Sequence, residues 1–311
     1  SEGFVREGLA RISRDYSVQA HFGKIWFVNF CKNLILLGRI QTTLPVLNTS
    51  RRAVIVAAGP SLDSKIQYLR DNREKICIIA TDTAWGALRG YDINPDVFVS
   101  IDPQYYSLSH SHIGFISGTW VILDMCANPA LAEKALTDGC RLCFVCGGHP
   151  LSRLASASLS IPDLDTSSGT VTLAAFQAAR ALGFIDIQTI GDDYAYVAGK
   201  PYAKGTYLSN VFDSSSTRYA TAETMWTTLM FRTPVRRELL PAGTYTYYSE
   251  VMDQKKTISK NLGPSVPWKS NPLISESMIR LFLEDLVTGF KAIGTQTRES
   301  ERYFSAFLPF L

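Results

Sequence analysis

The sequence RRAVIVAAGPSLD fills residues 51–63 and decides the fold that we predict for this chain. Its centre, Val54–Ala58, is a short apolar run rich in β-branched residues, and Gly59-Pro60 ends the run sharply. A run without polar alternation is typical of a strand that is buried on both faces of a parallel sheet. The stretch therefore predicts a central strand followed by a turn.

A helix is predicted after this turn, because Leu62, Ile66 and Leu69 recur at helical spacing. Ser61 or Asp63 can cap its first turn. The unpaired amides of a helix start attract an anion, which makes the turn a candidate phosphate site. Gly, Pro and Ser also suit an ordinary strand-to-helix turn, so the turn alone leaves both interpretations open.

The composition indicates a globular protein with a full core. Of the 311 residues, 46% are hydrophobic and 19% are charged, which suits one α/β domain with helical additions. The net charge is only +3 and the basic residues are scattered, so we expect no nucleic-acid partner. The apolar segment 23–38 is too short and too polar for a bilayer, so we expect no membrane span.

The six cysteines mostly lie inside apolar runs, which favours a reducing compartment and a cytoplasmic protein. Cys140, Cys143 and Cys146 have the spacing CxxCxxC, which can bind a metal or an iron–sulfur cluster. No fourth cysteine or finger-spaced histidine follows them, and RLCFVC is typical of a buried strand. We therefore predict no metal site.

Six strand-like runs alternate with helical or loop segments, and this alternation predicts an α/β fold with a doubly wound, mostly parallel, Rossmann-like sheet. The runs are Val54–Ala58, Ile76–Thr81, Val97–Ile101, Trp120–Asp124, Arg141–Cys146 and Asp186–Ile190. We divide the chain into an N-terminal helical segment (1–50), a Rossmann-like nucleotide-binding catalytic domain (51–235) and an irregular and helical C-terminal region (236–311). Within that region, residues 235–270 are expected to be irregular.

Polar residues follow five of the predicted strands. Ligands of open parallel sheets bind beyond the carboxyl ends of the strands, so we expect the site at this edge. The residues are Gly59, Pro60 and Ser61; Thr81, Asp82 and Thr83; Asp102, Pro103 and Gln104; Gly147, Gly148 and His149; and Gly191, Asp192, Asp193 and Tyr194. Turns favour Asp, Gly and Pro for local reasons too, so a purely structural role stays open.

Two further segments are candidates for ligand contacts. Ser168, Gly169 and Thr170 begin a predicted helix, where they offer amides and hydroxyls to an anion or simply cap the helix. The segment 191–207 is rich in tyrosine, lysine and glycine, and we expect it to lie outside the core. Its phenols and ammonium groups can bind a phosphate, whereas the alternative is a surface hairpin that turns at Ala198-Gly199.

The order of these motifs resembles a known family. GPSLD after a strand, PDVFVSIDP, SSGTVTLAAFQAARALGF and GDDYAY are similar to the MptE-like proteins. This family includes the motility-associated-factor (Maf) glycosyltransferases of flagellins and the archaeal 6-hydroxymethylpterin diphosphokinases. The order is also similar to bacterial sialyltransferases of the Campylobacter type, and the resemblance covers roughly residues 50–210.

The resemblance to the sialyltransferases implies contacts with a cytidine monophosphate (CMP) donor. Gly59, Pro60 and Ser61 would lie against its phosphate and sugar, and the next two strand ends against nucleotide and donor sugar. Ser168, Gly169 and Thr170 would contact the cytidine. Tyr194, Tyr196 and Tyr202 would stabilise the leaving phosphate.

The general base does not transfer with the resemblance. The sialyltransferases carry a histidine well downstream of the tyrosine segment, whereas the histidines here are His21, His110, His112 and His149. Maf-type sequences often have histidine where this chain has Tyr202. The carboxylates Asp102, Asp192 and Asp193 are the candidate bases that the strand-end argument supplies, and none of them stands out.

Three functions follow from the resemblance. The first is transfer of a nonulosonic acid sugar (sialic, pseudaminic or legionaminic) from a CMP-activated donor to a protein hydroxyl such as that of flagellin, with no cofactor required. The second is pyrophosphoryl transfer from ATP to a pterin, with Mg²⁺ held by the strand-end carboxylates. The third is a non-catalytic protein that binds a nucleotide or a partner.

Overall fold

The computed structural model of the protein describes residues 2–40, 43–166, 168–241, 243–260, 262, 265, 267–268 and 274–293, with the backbone alone for 2–20 and 289–293. The strands are β1 (Arg52–Val56), β2 (Ile76–Thr81), β3 (Val97–Ser100), β4 (Trp120–Asp124), β5 (Arg141–Val145), β6 (Ile187–Ile190), β7 (Tyr196–Val197), β8 (Val235–Leu239) and β9 (Tyr245–Ser249). The helices are α1 (Glu2–Arg39), α2 (Ile66–Asp71), α3 (Asp82–Gly90), α4 (Ser107–His110), α5 (Pro129–Thr137), α6 (Pro150–Leu159), α7 (Val171–Ala181), α8 (Tyr207–Ser214), α9 (Ala222–Met230), α10 (Glu250–Lys260) and α11 (Glu276–Ile293), with a 3₁₀ helix at Pro60–Lys65.

The first six strands form one parallel sheet in the order β5-β4-β3-β2-β1-β6, which confirms the predicted α/β fold. Each of the six predicted runs overlaps one of these strands. β1 lies inside the sheet, because it pairs with β2 on one side and with β6 on the other. Its residues 53–56 are fully buried, as the unbroken apolar run predicts.

Helices cover both faces of this sheet. Side chains of α1, α3, α5, α6 and α11 share one core with alternate residues of the strands, among them Val54, Ile78 and Phe98. The opposite strand residues, such as Ile55 and Ile79, form a second core with the small residues of α7. The chain is therefore doubly wound, with α7 on the face opposite the helices that follow β1 to β4.

The three closely spaced cysteines lie in or beside β5. Cys143 belongs to the core on the α7 face, whereas Cys146 belongs to the core on the opposite face and Cys140 packs against that same core. Burial raises the pKa of the Cys143 thiol to about 12, so it is an apolar packing group.

The predicted N-terminal helical segment is one long helix, α1, and two asparagines tie it to the sheet. Asn29 and Asn33 are buried one turn apart. The Asn29 amide donates to the Pro103 carbonyl oxygen at 2.9 Å, and both amides donate to carbonyl oxygens of Met125–Ala127 at 2.9–3.1 Å. These loops follow β3 and β4, so α1 fixes the backbone at the carboxyl edge of the sheet.

Residues 235–239 and 245–260 form strands and a helix, so the expectation of irregular structure was wrong there. β8 and β9 pair antiparallel, and β9 also pairs with β7 in a small second sheet. Four of the five residues of β8 are exposed, and an exposed strand shows no hydrophobic alternation. Residues 294–311, which belong to the predicted C-terminal region, lie outside the described residues.

Candidate functional site

The carboxyl edge of the main sheet brings together most of the residues predicted for the site. The order β3-β2-β1-β6 makes neighbours of the four strand ends at Asp102–Gln104, Thr81–Thr83, Gly59–Ser61 and Gly191–Tyr194. Neighbouring strands lie about 4.8 Å apart, so these ends form a continuous row. The fifth predicted end, Gly147–His149, lies two strands beyond β3, and His149 there caps α6 by accepting from Leu151 N at 3.3 Å.

The ends of β1 and β6 are in direct backbone contact. Gly59 N donates to the Gly191 carbonyl oxygen at 2.8 Å. Gly191 has a φ of +76°, and a Cβ at this position would overlap the Ala57 carbonyl oxygen. Only glycine provides both the left-handed backbone and the missing side chain that this approach requires.

The first helix start is occupied by an acid of the chain itself. Ser61 N donates to Asp193 Oδ2 at 2.9 Å, and a Cβ at Gly59 would collide with the same carboxylate. Asp193 therefore supplies the anion that the Gly59-Pro60-Ser61 turn was predicted to bind. A ligand phosphate has access to the Ser61 amide only after this carboxylate moves.

Asp82 is a buried acid at the end of β2. It accepts hydrogen bonds from Ser100 Oγ at 2.7 Å and from Thr83 N at 2.6 Å. Burial is the main cause that raises its pKa from 3.8 to about 6; the Ser100 bond lowers the pKa, and the nearby Asp102 charge raises it further. Thr81 Oγ1 donates to the Val56 carbonyl oxygen at 3.2 Å and so links β2 to β1.

Asp102 follows the end of β3, and its charge acts on two titratable groups, Asp82 and His110. Its Oδ1 accepts from Gln104 N at 2.9 Å, which holds the turn after the strand. Its charge adds to the raised pKa of Asp82. Burial lowers the pKa of His110, a residue that the sequence analysis did not assign to the site, and the Asp102 charge opposes that shift. His110 is the last residue of the short helix α4, and the turn that begins at Asp102 connects β3 to this helix.

Thr170 caps α7, which is one of the two roles that the sequence analysis gave to this segment. Thr170 Oγ1 accepts from Leu173 N at 3.2 Å, and Ser168 Oγ accepts from Thr170 N at 3.4 Å. Gly169 has a φ of +63°, which lets the chain turn into the helix. α7 leads into β6, so it runs in the direction opposite to the parallel strands. Its start therefore lies at the edge of the sheet where the strands end.

Tyr194 lies beside Thr170 and Asp192, in an unusual conformation. Its φ is +46°, a left-handed backbone that is rare for a bulky residue. Its hydroxyl oxygen is buried, and within the described part of the chain it has no hydrogen-bond partner of acceptable geometry. Burial raises the pKa of this phenol to about 12, with the Asp192 charge as the second cause, so the hydroxyl keeps its proton at neutral pH.

Asp192 is engaged in its own strand end, since Thr189 Oγ1 donates to Asp192 Oδ2 at 2.7 Å. Each strand-end carboxylate thus has a separate hydrogen-bond partner. No group of three or more His, Cys, Asp or Glu placed to hold a metal ion occurs among the residues that the structure describes.

The tyrosine segment folds back over the end of β1. Ala203 N donates to the Ala58 carbonyl oxygen at 2.8 Å, and Lys204 N donates to Asp63 Oδ1 at 3.0 Å. Tyr202 is half-buried and packs against the main core, so the expectation that this segment lies outside the core was wrong at Tyr202. Burial raises the pKa of the Tyr202 phenol, with Tyr196 as a second cause.

The sequence analysis missed Asp124, which ends β4 and is buried. Its Oδ1 accepts from Cys126 N at 2.6 Å, and a Cβ at Gly147 would overlap both Asp124 Oδ2 and Thr166 Oγ1. Burial raises the pKa of Asp124 from 3.8 to about 6. The signal in the sequence was a charged residue at the end of an apolar run, WVILD, but the run was interpreted only as a strand.

We expect Asp124 to make stability fall as the pH rises from about 4 to about 6. The pKa of Asp124 is higher in the folded protein than in the unfolded chain. The stability that the protonated carboxyl contributes is therefore complete below pH 3.8 and is lost as the pH passes about 6. The shift corresponds to about 3 kcal/mol for a fully buried group. Urea unfolding of the parent and of Asp124→Asn between pH 4 and pH 7 should show this difference in slope.

Asp138 provides the control with the opposite sign. The Phe115 amide is the main cause that lowers the pKa of this carboxyl. The ionised carboxylate therefore stabilises the folded protein, and this stabilisation decreases as the pH falls; Asp138→Asn should lack this pH dependence. Equal slopes for the parent and Asp124→Asn would contradict the assignment of a raised pKa to Asp124.

None of the helices in the described ranges is both long and apolar enough to cross a membrane.

Comparison with known proteins reveals a family match over residues 29–199. The matching family is described as 6-hydroxymethylpterin diphosphokinase MptE-like, and the match covers more than half of the 311 residues. An uncharacterized protein of Treponema pallidum (strain Nichols) is 42% identical over 162 residues, which are 52% of this chain and 58% of that protein. A second uncharacterized protein of the same organism is 43% identical over 113 residues, which are 36% of this chain and 53% of that protein.

A solved structure has the same fold. The Maf glycosyltransferase from Magnetospirillum magneticum AMB-1 superposes with a TM-score of 0.53 at 17% sequence identity, over 91% of this chain and 49% of that chain. The chain spans about half the length of the proteins that it matches, since the shares of those proteins are 58%, 53% and 49%.

Proposed function

Because the chain belongs to the MptE-like family, we propose that it is a glycosyltransferase that moves a nonulosonic acid sugar from a CMP-activated donor to a protein hydroxyl. A bacterial flagellin is one acceptor of this kind. The shared fold with a Maf glycosyltransferase supports the choice of this member of the family over the others. The residues at the carboxyl edge of the sheet support it chemically.

The Tyr194 hydroxyl is the observation that carries the proposal. Buried hydroxyls are almost always hydrogen-bonded, and a bulky residue with a left-handed backbone costs about 1–3 kcal/mol, so functional sites are where both features concentrate. The leaving CMP phosphate needs hydrogen-bond donors where negative charge develops on the oxygen that it keeps. A phenol that stays protonated at neutral pH, close to the start of α7, is such a donor.

The remaining residues have complementary roles in this proposal. Tyr202 is a second phenol for the leaving phosphate, and Ser168, Gly169 and Thr170 lie where the cytidine would bind. Thr81–Thr83 and Asp102–Gln104 would contact the nucleotide and the donor sugar. Asp193 orders the first helix start through Ser61, so its role is to hold the Gly59-Pro60-Ser61 turn rather than to remove a proton.

A diphosphokinase is the second candidate, because the family description names that activity. Its chemistry requires Mg²⁺ between carboxylates and the phosphates of ATP. Asp82, Asp102, Asp192 and Asp193 are the acids available at this edge, but they bind separate partners in this structure. The geometry thus favours the first candidate.

Isothermal titration with CMP, CDP and ATP, with and without Mg²⁺, tests the proposal. We expect CMP to bind in EDTA, and CMP-activated nonulosonic acids to be hydrolysed slowly to free CMP without an acceptor. ATP binding that requires Mg²⁺, with no CMP binding, would establish the diphosphokinase instead. CMP binding without hydrolysis of N-acetylneuraminic, pseudaminic or legionaminic acid donors would indicate a binding protein.

A further inference from the structure

His110 lies close enough to Asp102 of the candidate site for the charges of the two side chains to interact. It is the last residue of α4, which follows the turn after β3. Its side chain is only 7% exposed, although the imidazole is a polar group. Tyr207, the first residue of α8, packs edge-on against it with ring centroids 5.8 Å apart.

The imidazole of His110 has an unused nitrogen. Nδ1 is buried and has no hydrogen-bond partner among the residues that the structure describes. Leaving a buried polar atom unpaired costs about 1–3 kcal/mol, so proteins seldom tolerate it unless another molecule completes the bond. The half-buried His149, by comparison, accepts a hydrogen bond from a backbone amide with its Nδ1.

The charges around His110 suit a base that works at neutral pH. Burial lowers the pKa of the imidazole and is the largest influence on it, so the ring is neutral and its free nitrogen can accept a proton. Asp102 raises the pKa, and His112 lowers it slightly. Asp102 therefore stabilises the imidazolium that forms once a proton has been taken.

We propose that His110 is the general base that accepts the proton of the acceptor hydroxyl, with Asp102 as the residue that balances its charge. This inference rests on the proposed glycosyl transfer. The hydroxyl oxygen forms a bond to the anomeric carbon, the bond from that carbon to the phosphate oxygen breaks, and CMP leaves with the electron pair. The hydroxyl proton passes to His110 and is later released to solvent.

The position of His110 does not follow from the family resemblance, which places a histidine well after the tyrosine segment. Here the imidazole belongs to the last residue of α4 and packs against Tyr207 of α8. Gly86 of α3 makes room for this arrangement, because a Cβ there would lie 3.3 Å from the Gly205 carbonyl oxygen and 3.7 Å from that of His110.

His110→Gln tests the proposal, since glutamine keeps a polar side chain of similar bulk but cannot take up a proton. With CMP-N-acetylneuraminic acid and methanol as a surrogate acceptor, we expect methyl glycoside formation to fall by roughly 100-fold. CMP affinity should stay within about twofold of the parent. The rate of the parent should rise with pH, with a midpoint below the ordinary histidine pKa of 6.5, and the variant should lose this rise.

His112→Gln is the matched control. His112 is two residues away, exposed, and packs against the other side of Tyr207 with a centroid distance of 6.1 Å. We expect this variant to keep the parent rate at neutral pH and the rise of the rate with pH. Equal losses in the two variants would overturn the proposal, because they would indicate a packing role around Tyr207.

Histidine NMR provides a test that does not depend on the donor sugar. The pKa of His110 should rise when CMP is bound, because the phosphate charge then lies near the ring. An unchanged His110 pKa in protein that binds CMP would overturn the role of His110 alone. Failure of the parent to bind CMP would overturn the glycosyltransferase itself.

Discussion

Tyr194→Phe should lower the rate of CMP release from the donor by roughly 100- to 1,000-fold, the usual cost of removing a hydrogen-bond donor to a developing oxyanion. The Tyr194 hydroxyl is buried and protonated, and among the described residues only the Thr170 side chain beside it interacts with it, without a well-formed hydrogen bond, so it can turn to the leaving phosphate. The ring and the left-handed backbone are unchanged by the substitution. Steady-state release of CMP, measured at saturating donor, reports the effect.

Stability distinguishes this role from a structural one. Removing a hydroxyl that makes no well-formed hydrogen bond to the described residues should leave the free energy of unfolding within about 1 kcal/mol of the parent. Tyr219→Phe is the control, because Tyr219 is 94% exposed and belongs to none of the proposed contacts, so this variant should keep the parent rate. Similar rates for Tyr194→Phe and the parent, or a large loss of stability in Tyr194→Phe, would show that the hydroxyl serves the fold.

Gly191→Ala should destabilise the protein by about 3 kcal/mol or more, at the upper end of single substitutions. The new Cβ would overlap the Ala57 carbonyl oxygen and lie 3.3 Å from Leu62 Cβ, and the backbone is left-handed besides. Because the neighbour is the backbone of β1 rather than a flexible side chain, β6 must move away from β1. Urea unfolding followed by circular dichroism measures the loss.

Gly199→Ala separates the two causes of this loss. Gly199 has nearly the same φ, +74°, but a Cβ there would meet nothing within 4 Å. This variant should lose only the cost of a left-handed alanine, about 1 kcal/mol. If the two variants were destabilised equally, the contact between β6 and β1 would not be the reason for glycine at position 191.

The main sheet could be predicted because strands that are buried on both faces consist of unbroken apolar residues, a pattern that is easily recognised in the sequence. Runs such as Val54–Ala58 are apolar without interruption, and polar turns end them. β8 has no such apolar pattern, because four of its five residues are exposed: Arg236, Arg237, Glu238 and Leu239. Its order comes from pairing with β9, and Arg236 and Arg237 lie over the rings of Tyr248 and Tyr245 at 4.8 and 5.3 Å.

The candidate site could be predicted only as far as the strand ends. The carboxyl edge follows from the parallel fold, but strand order decides which ends are neighbours, and the sequence does not contain that order in any short pattern. The bond between Ser61 N and Asp193 joins residues 132 positions apart. His110 and Asp124 were missed because their importance comes from burial, which a single residue in a turn or at the end of an apolar run does not reveal.

The pairing of β1 with β6 has a consequence for the order of events during synthesis. A nascent chain on the ribosome carries β1 to β5 long before β6 exists, so one edge of β1 stays open while more than a hundred residues are added. Only when β6 closes that edge do Gly191, Asp193 and Tyr194 take their places. The strand ends of β1 and β6 are thus joined only after translation has passed the whole main sheet.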